Sequence, residues 1–247
     1  MDRKEITIRD IIREEALQKI FDRVFDERTI LAIHSLATKG YFNNLEYIVS
    51  SGKEAVVCKA VDAANNPRAV KIYKIETSDF KNMLAYIEHD PRFTNIGREK
   101  HDIVYAWTRK EFRNLEELNN AGIRVPLPIA FRENVLVMEF IGQENAAPLL
   151  KYSPPKDILE FEEFVVRSLA LMVKKAGLIH ADLSEYNILN NNEEFVIIDC
   201  GQAVALEHPR AEEFFERDLR NMAKYLTKQG LKTDASKLRE KVRKFEV

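Results

Sequence analysis

The sequence predicts an α+β chain of two lobes, the first β-rich and the second helical and reduced, with extra helices at the N-terminus. Three observations predict it. Short β-branched runs cluster between residues 47 and 73 and again between 128 and 140. Apolar residues recur at helical spacing before and after those runs and through the second half. A stretch dense in turn formers, 142–155, divides the two regimes. The expected boundaries are a helical extension over 1–40, a first lobe over 41–141 and a second lobe over 142–247.

Taken in order, Ile12, Ala16, Ile20 and Val24 form one stripe of a helix over about 9–24. A second helix, about 27–39, stops at Gly40, a residue suited to the left-handed position beyond a helix end. Tyr47-Ile48-Val49, 55–58 and 69–73 read as an antiparallel meander, with Ala64-Asn65-Asn66-Pro67 turning between the last two. Residues 76–102 read as a polar, irregular connection broken by Asp90-Pro91 and Gly97; so long a connection is usually functional or mobile. Helical periodicity returns over 103–120 and ends at Ala121-Gly122. Strands over 128–131 and 135–140 flank a turn at 132–134. Asp157 then caps a helix, with Glu160 placed to close a capping box. Its stripe is Ile158, Phe161, Val165, Leu169 and Met172, and Gly177 ends it. Two further helices follow, about 209–228 and 233–245.

Composition narrows the function classes. The 247 residues are 45% apolar, enough for a full core and against disorder. Lys plus Arg number 38 against 40 for Asp plus Glu, so a whole-molecule basic field for nucleic acid is excluded while a local patch is not. Cys58 and Cys200 are too few for a disulfide framework or a four-cysteine zinc site, and fit a reducing cytoplasm. No run approaches the ~20 apolar residues a membrane helix needs. The first residues, Met1-Asp2-Arg3-Lys4-Glu5, lack the design of a signal peptide. A cytoplasmic protein without membrane partners is the expectation.

The sharpest signal is His180-Ala181-Asp182-Leu183-Ser184-Glu185-Tyr186-Asn187, followed after a strand-like run by Asp199-Cys200-Gly201. This is the H-x-D-x-x-x-x-N and D-x-G pair of kinase-like phosphotransferases. The spacing follows from the chemistry. One Asp must lie near the attacking hydroxyl or water, an Asn a few residues on must turn back to a metal ion, and a second Asp must bridge metal and phosphates. Such a site needs a lysine on a strand beyond a phosphate-covering loop. Lys71 supplies it, with Ser50, Ser51, Gly52 and Lys53 as the loop. It also needs an acid for that lysine. Glu111 lies on the apolar stripe of its helix with Trp107, Leu115 and Leu118, where an unpaired carboxylate is costly, so it requires a cation and Lys71 is the best candidate. His180 reads as a structural hydrogen-bonding residue, Trp107 as core, and Cys200 as inert packing beside a carboxylate.

Ser51-Gly52-Lys53-Glu54-Ala55, Lys110-Glu111-Phe112-Arg113-Asn114-Leu115, Leu183-Ser184-Glu185-Tyr186-Asn187-Ile188-Leu189 and Ile198-Asp199-Cys200-Gly201-Gln202 together resemble the RIO family of atypical serine protein kinases, most closely its type-one branch. The resemblance implies a protein-kinase-like two-lobed fold and ATP with Mg²⁺ or Mn²⁺ as cofactors. By motif, Lys71 would bind the α/β-phosphates, Glu111 would hold Lys71, and Asp182 would be the catalytic acid/base. Asn187 and Asp199 would bind metal, and Asp199 could carry a transient aspartyl-phosphate. Adenine would lie against a hinge at Met138, Glu139 and Ile141, and Glu185 would join the nucleotide-binding set. The family also implies work on the small ribosomal subunit precursor, its rRNA and its proteins. Ser51 stands where threonine is common in the family, and Ala181 where glycine is.

Gaps in the pattern inform too. Ala181 occupies the position of the arginine that ordinary kinases carry before the catalytic Asp, and Cys200 that of the D-F-G phenylalanine. Little chain follows Asp199, too little for an activation loop and a full peptide-docking subdomain. Slow ATP hydrolysis or autophosphorylation, with restricted protein kinase activity, is the expectation; Thr77, Ser78 and Thr94 are candidate acceptors. Lys228, Lys232, Lys237, Arg239, Lys241, Arg243 and Lys244, set against Asp234 and Glu240, read first as a solvated helix face and second as a contact for RNA phosphates. Two other classes stand beside the leading one: a small-molecule phosphotransferase of the aminoglycoside-kinase type, and a non-catalytic ribosome-assembly module.

Overall fold

The computed structural model describes residues 11–12, 21, 25–93 and 96–247. Most of the helix expected over 9–24, with Ala16, Ile20 and Val24, lies outside the described residues, as does Thr94. The chain forms two units. The first comprises the described residues up to Ile87, 96–112 and Leu127–Phe140; the second comprises 88–93, Arg113–Pro126 and Ile141–Val247.

In the first unit, α1 (Glu27–Thr38) starts where the Asp26 carboxylate accepts the Thr29 N–H at 2.8 Å. It stops at Gly40, whose φ of 84° lets its N–H turn back to Ala37. Five antiparallel strands follow in the order β1 (Asn44–Ser51), β2 (Ala55–Val61), β3 (Pro67–Tyr73), β5 (Val135–Glu139), β4 (Pro128–Arg132). Alternation along β3 sends Val70 and Ile72 to one face, into a core with Ala32, Ile33 and Leu36 of α1 and with Val56, Cys58, Val135 and Val137. Ile11, Ile12 and Phe21 are buried in the same cluster. Lys71, paired in register with Val57 and Leu136, belongs to the opposite face.

The connection over 76–102 is not irregular throughout. It holds α2 (Phe80–Ile87), and α3 (Lys100–Asn120) begins inside it. Asp79 caps α2, accepting the Asn82 N–H, and Met83, Tyr86 and Ile87 are buried, with Trp107 of α3 edge-on to Tyr86 at 6.1 Å. Two helical turns flanked by polar residues are too short to show a period.

In the second unit, α4 (Ile158–Leu171) buries Phe161, Val165 and Leu169 and runs into a wider turn that Gly177 ends with φ 66°. Asp157 caps it, accepting from Leu159 and Glu160. The capping box expected of Glu160 does not form. Glu193 reaches over and takes the Lys156 and Asp157 N–H groups instead. Short strands β6 (Leu178–Ile179) and β9 (Val204–Ala205) pair, as do β7 (Ile188–Asn191) and β8 (Glu194–Ile197). Helices α5 (Ala211–Lys228) and α6 (Ala235–Lys244) end the unit. The basic tail is largely neutralised within the fold. Lys237 faces Asp234, Arg239 grips Glu212 and Glu216, Lys241 reaches Glu162 at 2.7 Å, and Lys244 pairs with Glu240. That supports the solvated-face reading over the RNA reading. Among the described residues no helix is long and apolar enough to cross a membrane.

Candidate active site

The first unit contributes a buried ion pair. Lys71 Nζ lies 2.8 Å from Glu111 Oε1, with the Glu111 side chain 1% exposed and that of Lys71 9%. The Tyr73 hydroxyl donates to the other carboxylate oxygen, and the Lys71 ammonium stands 5.0 Å from the Tyr73 ring centroid. The sheet face and the helix stripe that demanded partners thus supply one another.

The loop at 50–53 is an exposed hairpin tip. The Gly52 N–H is used across the turn to the Ala55 carbonyl at 2.9 Å, so it is not among the amides offered to a phosphate. Lys74 Nζ donates to the Gly52 carbonyl and the Thr77 hydroxyl to the Lys53 carbonyl. Ser78 is buried, its hydroxyl donating to the Lys74 carbonyl. Thr77 therefore stitches the loop and Ser78 is bonded within its own segment, which counts against both as phosphate acceptors. At the end of β5, the Glu139 N–H donates to the Leu127 carbonyl at 2.8 Å. Met138 lies beside it on the strand. In the second unit the Ile141 carbonyl accepts from Ala147 at 2.9 Å.

The second unit holds the two motif loops. Asn187 Nδ2 donates to the Asp182 carboxylate at 2.9 Å and to the Asp182 carbonyl at 2.8 Å. That contact turns the Asn187 amide oxygen away from Asp182. The Ile198 N–H donates to the Asn187 carbonyl, tying the first loop to the strand end that presents Asp199. Asp199 takes a left-handed conformation, φ 60° and ψ 54°, which Asp tolerates better than most residues. Glu185 is half-buried, its carbonyl accepting from Lys151.

Burial holds the Asp182 carboxyl above the ordinary range, and the Asp199 charge adds to this; the Asn187 hydrogen bond and the Arg217 charge oppose it. Burial likewise pushes His180 down, so its imidazole is neutral. Its Nε2 lies 3.1 Å from the Ile198 carbonyl and must be the protonated nitrogen. His180 is a structural donor, as its sequence context indicated.

Two polar groups that the sequence reading passed over organise these loops. Asp218 of α5 is fully buried and accepts the Ala181 and Leu183 N–H groups, each at 2.8 Å. Burial pushes its carboxyl up to about 7 against those two donors. Asn114 of α3 donates to the Cys200 and Ala203 carbonyls at 2.8 and 3.1 Å and accepts from Arg92 at 2.7 Å. Arg92 is itself held by Asp90 and Glu117. The signal was available: Asp218 sits between Phe214 and Met222 on its helix, as Glu111 sits between Trp107 and Leu115.

An Asn oxygen and an Asp carboxylate are hard oxygen donors of the kind Mg²⁺ takes when phosphates supply further ligands. Among the described residues no group of three His, Cys, Asp or Glu side chains is placed to hold a metal. The set fits a nucleotide-borne ion rather than an all-protein cage.

A five-stranded antiparallel sheet with a Lys–Glu pair, joined in one chain to an Asp–Asn loop and a following Asp, defines a kinase-like phosphotransferase. The family model described as RIO domain matches residues 56–238. The RIO-type serine/threonine-protein kinase Rio1 of Haloferax volcanii is 45% identical over 224 residues, covering 90% of this chain and 77% of that one. The Methanocaldococcus jannaschii protein of the same name is 40% identical over 208 residues, covering 84% and 71%. The chain belongs to the RIO family, on its Rio1 side, and is a kinase. The fold resembles that of the Rio2 kinase of Chaetomium thermophilum, solved as an ADP/Mg²⁺-phosphoaspartate complex: TM-score 0.65, 19% identity, 94% of this chain and 76% of that one covered.

Proposed function

We propose that this chain is an ATP- and metal-dependent serine/threonine kinase and ATPase that phosphorylates itself and acts in the cytoplasm on the small ribosomal subunit precursor. The observation that carries the chemistry is the Asp182–Asn187 contact at 2.9 Å, in a loop tied to the strand end that bears Asp199. Lys71, made rigid by Glu111 and Tyr73, holds the α/β-phosphates. Whatever Glu139 offers to a base it offers through its carbonyl, because its N–H is committed to Leu127. By the family resemblance Met138 and Ile141 belong with the base, and Ser50, Ser51, Lys53 and Glu185 with the rest of the nucleotide. Asn187 and Asp199 hold Mg²⁺ or Mn²⁺, which neutralises phosphate charge when bound.

Asp182, whose carboxyl burial holds above its ordinary value, is a suitable base for a hydroxyl or water proton. An Asp199 oxygen can attack the γ-phosphorus as its bond to the β-bridging oxygen breaks and ADP leaves. Water then releases phosphate and restores the carboxylate. The phosphoaspartate named for the Chaetomium thermophilum structure supports this step. The ribosomal role rests on the family resemblance. Membership of that family argues against the aminoglycoside-kinase and non-catalytic alternatives.

The test is labelled ATP with Mg²⁺ or Mn²⁺, following phosphate release and self-labelling. Wild type should turn over and label itself, Asp182→Ala should lose turnover at least ~100-fold, and Asp199→Ala should lose the acid-stable and acyl-phosphate label together. Turnover unchanged in both variants defeats the mechanism.

A further inference from the structure

The chain lacks the arginine that precedes the catalytic Asp in ordinary kinases; Ala181 stands there instead, in a left-handed conformation with φ 66°. A non-glycine residue in that conformation is strained and persists only when its surroundings hold it. What holds it comes from one face of α5. The Arg217 guanidinium donates to the Ala181 carbonyl, and Asn221 Nδ2 donates to the Leu183 carbonyl at 3.1 Å. Asp218 takes the two N–H groups of the same residues. Four backbone groups bracketing Asp182 are thus bonded by side chains at positions 217, 218 and 221 of a single helix.

Arg217 is itself aimed. Its guanidinium carbon lies 4.9 Å from the centroid of the buried Phe214 ring, and Arg210 takes a second place at that ring at 4.7 Å. Arg210 is tied to Glu213 through both its Nε and its Nη2. The stack orients the Arg217 fork before it meets the loop, which a flexible lysine would not achieve as well.

We propose that Arg217 and Asn221 are positioning residues for the phosphotransfer step. By holding the carbonyls on either side of Asp182 they set the carboxylate's place. The proposal rests on Asp182 being the catalytic base. The predicted signature is a loss in kcat without a loss in nucleotide binding, because neither residue is assigned a nucleotide contact. Displacing a catalytic group by about an ångström costs on the order of 100-fold in rate.

The experiment measures kcat and KM for ATP in Arg217→Met, Arg217→Lys, Asn221→Leu and Asp182→Ala, and in Asp182→Ala combined with Arg217→Met. Methionine keeps the stem packed on Phe214. The expected results are a fall of ~10–100-fold in kcat for Arg217→Met with KM within ~2-fold, partial recovery with Arg217→Lys, and a smaller fall for Asn221→Leu. In the Asp182→Ala background Arg217→Met should cost nothing further, because both changes act through one side chain. A wild-type kcat in Arg217→Met, a change confined to KM, or the same loss with and without Asp182 overturns the proposal. If Arg217→Met does not fold, Asn221→Leu at the other end of the clamp is judged by the same kcat criterion. Should Asp182→Ala itself keep wild-type turnover, the reading of the site fails, which is distinct from failure of the clamp.

Discussion

Removing Glu111 should destabilise the first unit far more than removing both members of its pair. Lys71 and Glu111 meet at 2.8 Å with the Glu111 side chain 1% exposed. At an effective dielectric of about 20 their gross attraction is ~6 kcal/mol. Desolvation of both charges offsets most of that, so the pair as such adds little net stability. Deleting one partner is different, because the Lys71 ammonium then stays buried without the carboxylate that balanced its charge. Glu111→Leu should therefore cost about 3–5 kcal/mol. Glu111→Gln should cost roughly half, since an amide oxygen still accepts from Lys71. Lys71→Met with Glu111→Leu should return to within ~1 kcal/mol of wild type. The assay is urea denaturation followed through Trp107, the only tryptophan, which is buried against Tyr86 in the same unit. All these variants should fail to label themselves, the stable double variant included. A cost below ~1 kcal/mol for Glu111→Leu, or a double variant as unstable as the single one, would refute the account of a pair kept for phosphate binding rather than for stability.

Asp218 carries a pH signature. Its folded carboxyl titrates near 7 against an ordinary value of 3.8, so between about pH 4 and 7 the folded state keeps a proton that the unfolded state has lost. Stability should fall by up to ~1.4 kcal/mol per pH unit across that window and level off above it; Asp218→Asn should flatten the slope in urea titrations. Asn114→Leu removes the side-chain donor from the Cys200 and Ala203 carbonyls and should cost ~1–3 kcal/mol, with faster amide exchange just after Asp199 as the local readout. Cys58 and Cys200 are both buried, and burial pushes the Cys58 thiol up to about 12, so neither should react with a thiol reagent in the native protein and both should react in urea.

Much of the site was legible because its residues break local rules. A carboxylate on an apolar stripe announced Glu111, and the required cation came from the strand that alternation turned the same way. The spacing of Asp182, Asn187 and Asp199 is the one a triphosphate and its ion would require, so it stands out in the sequence before any fold is known. What stayed hidden belongs to two physical kinds. Helix α2 hid because eight residues carry too little period to stand out from polar flanks. The tail's neutralisation hid because its acids, Glu162, Glu212 and Glu216, lie on other helices, and charge counted along a chain does not see them.

Asp218 and Asn114 are the more instructive omissions, since each satisfies the same criterion as Glu111. The difference lies in their partners. Glu111 answers to a side chain, and a sequence names side chains. Asp218 and Asn114 answer to backbone N–H and carbonyl groups, which every residue carries and no sequence distinguishes. A buried polar residue on a helix stripe with no candidate ion partner is therefore best read as the holder of an irregular loop. The loop it holds is one whose backbone groups have no sheet or helix to satisfy them. In this chain both such loops carry an aspartate of the candidate site, and each aspartate lies next to a backbone group that a buried side chain has claimed.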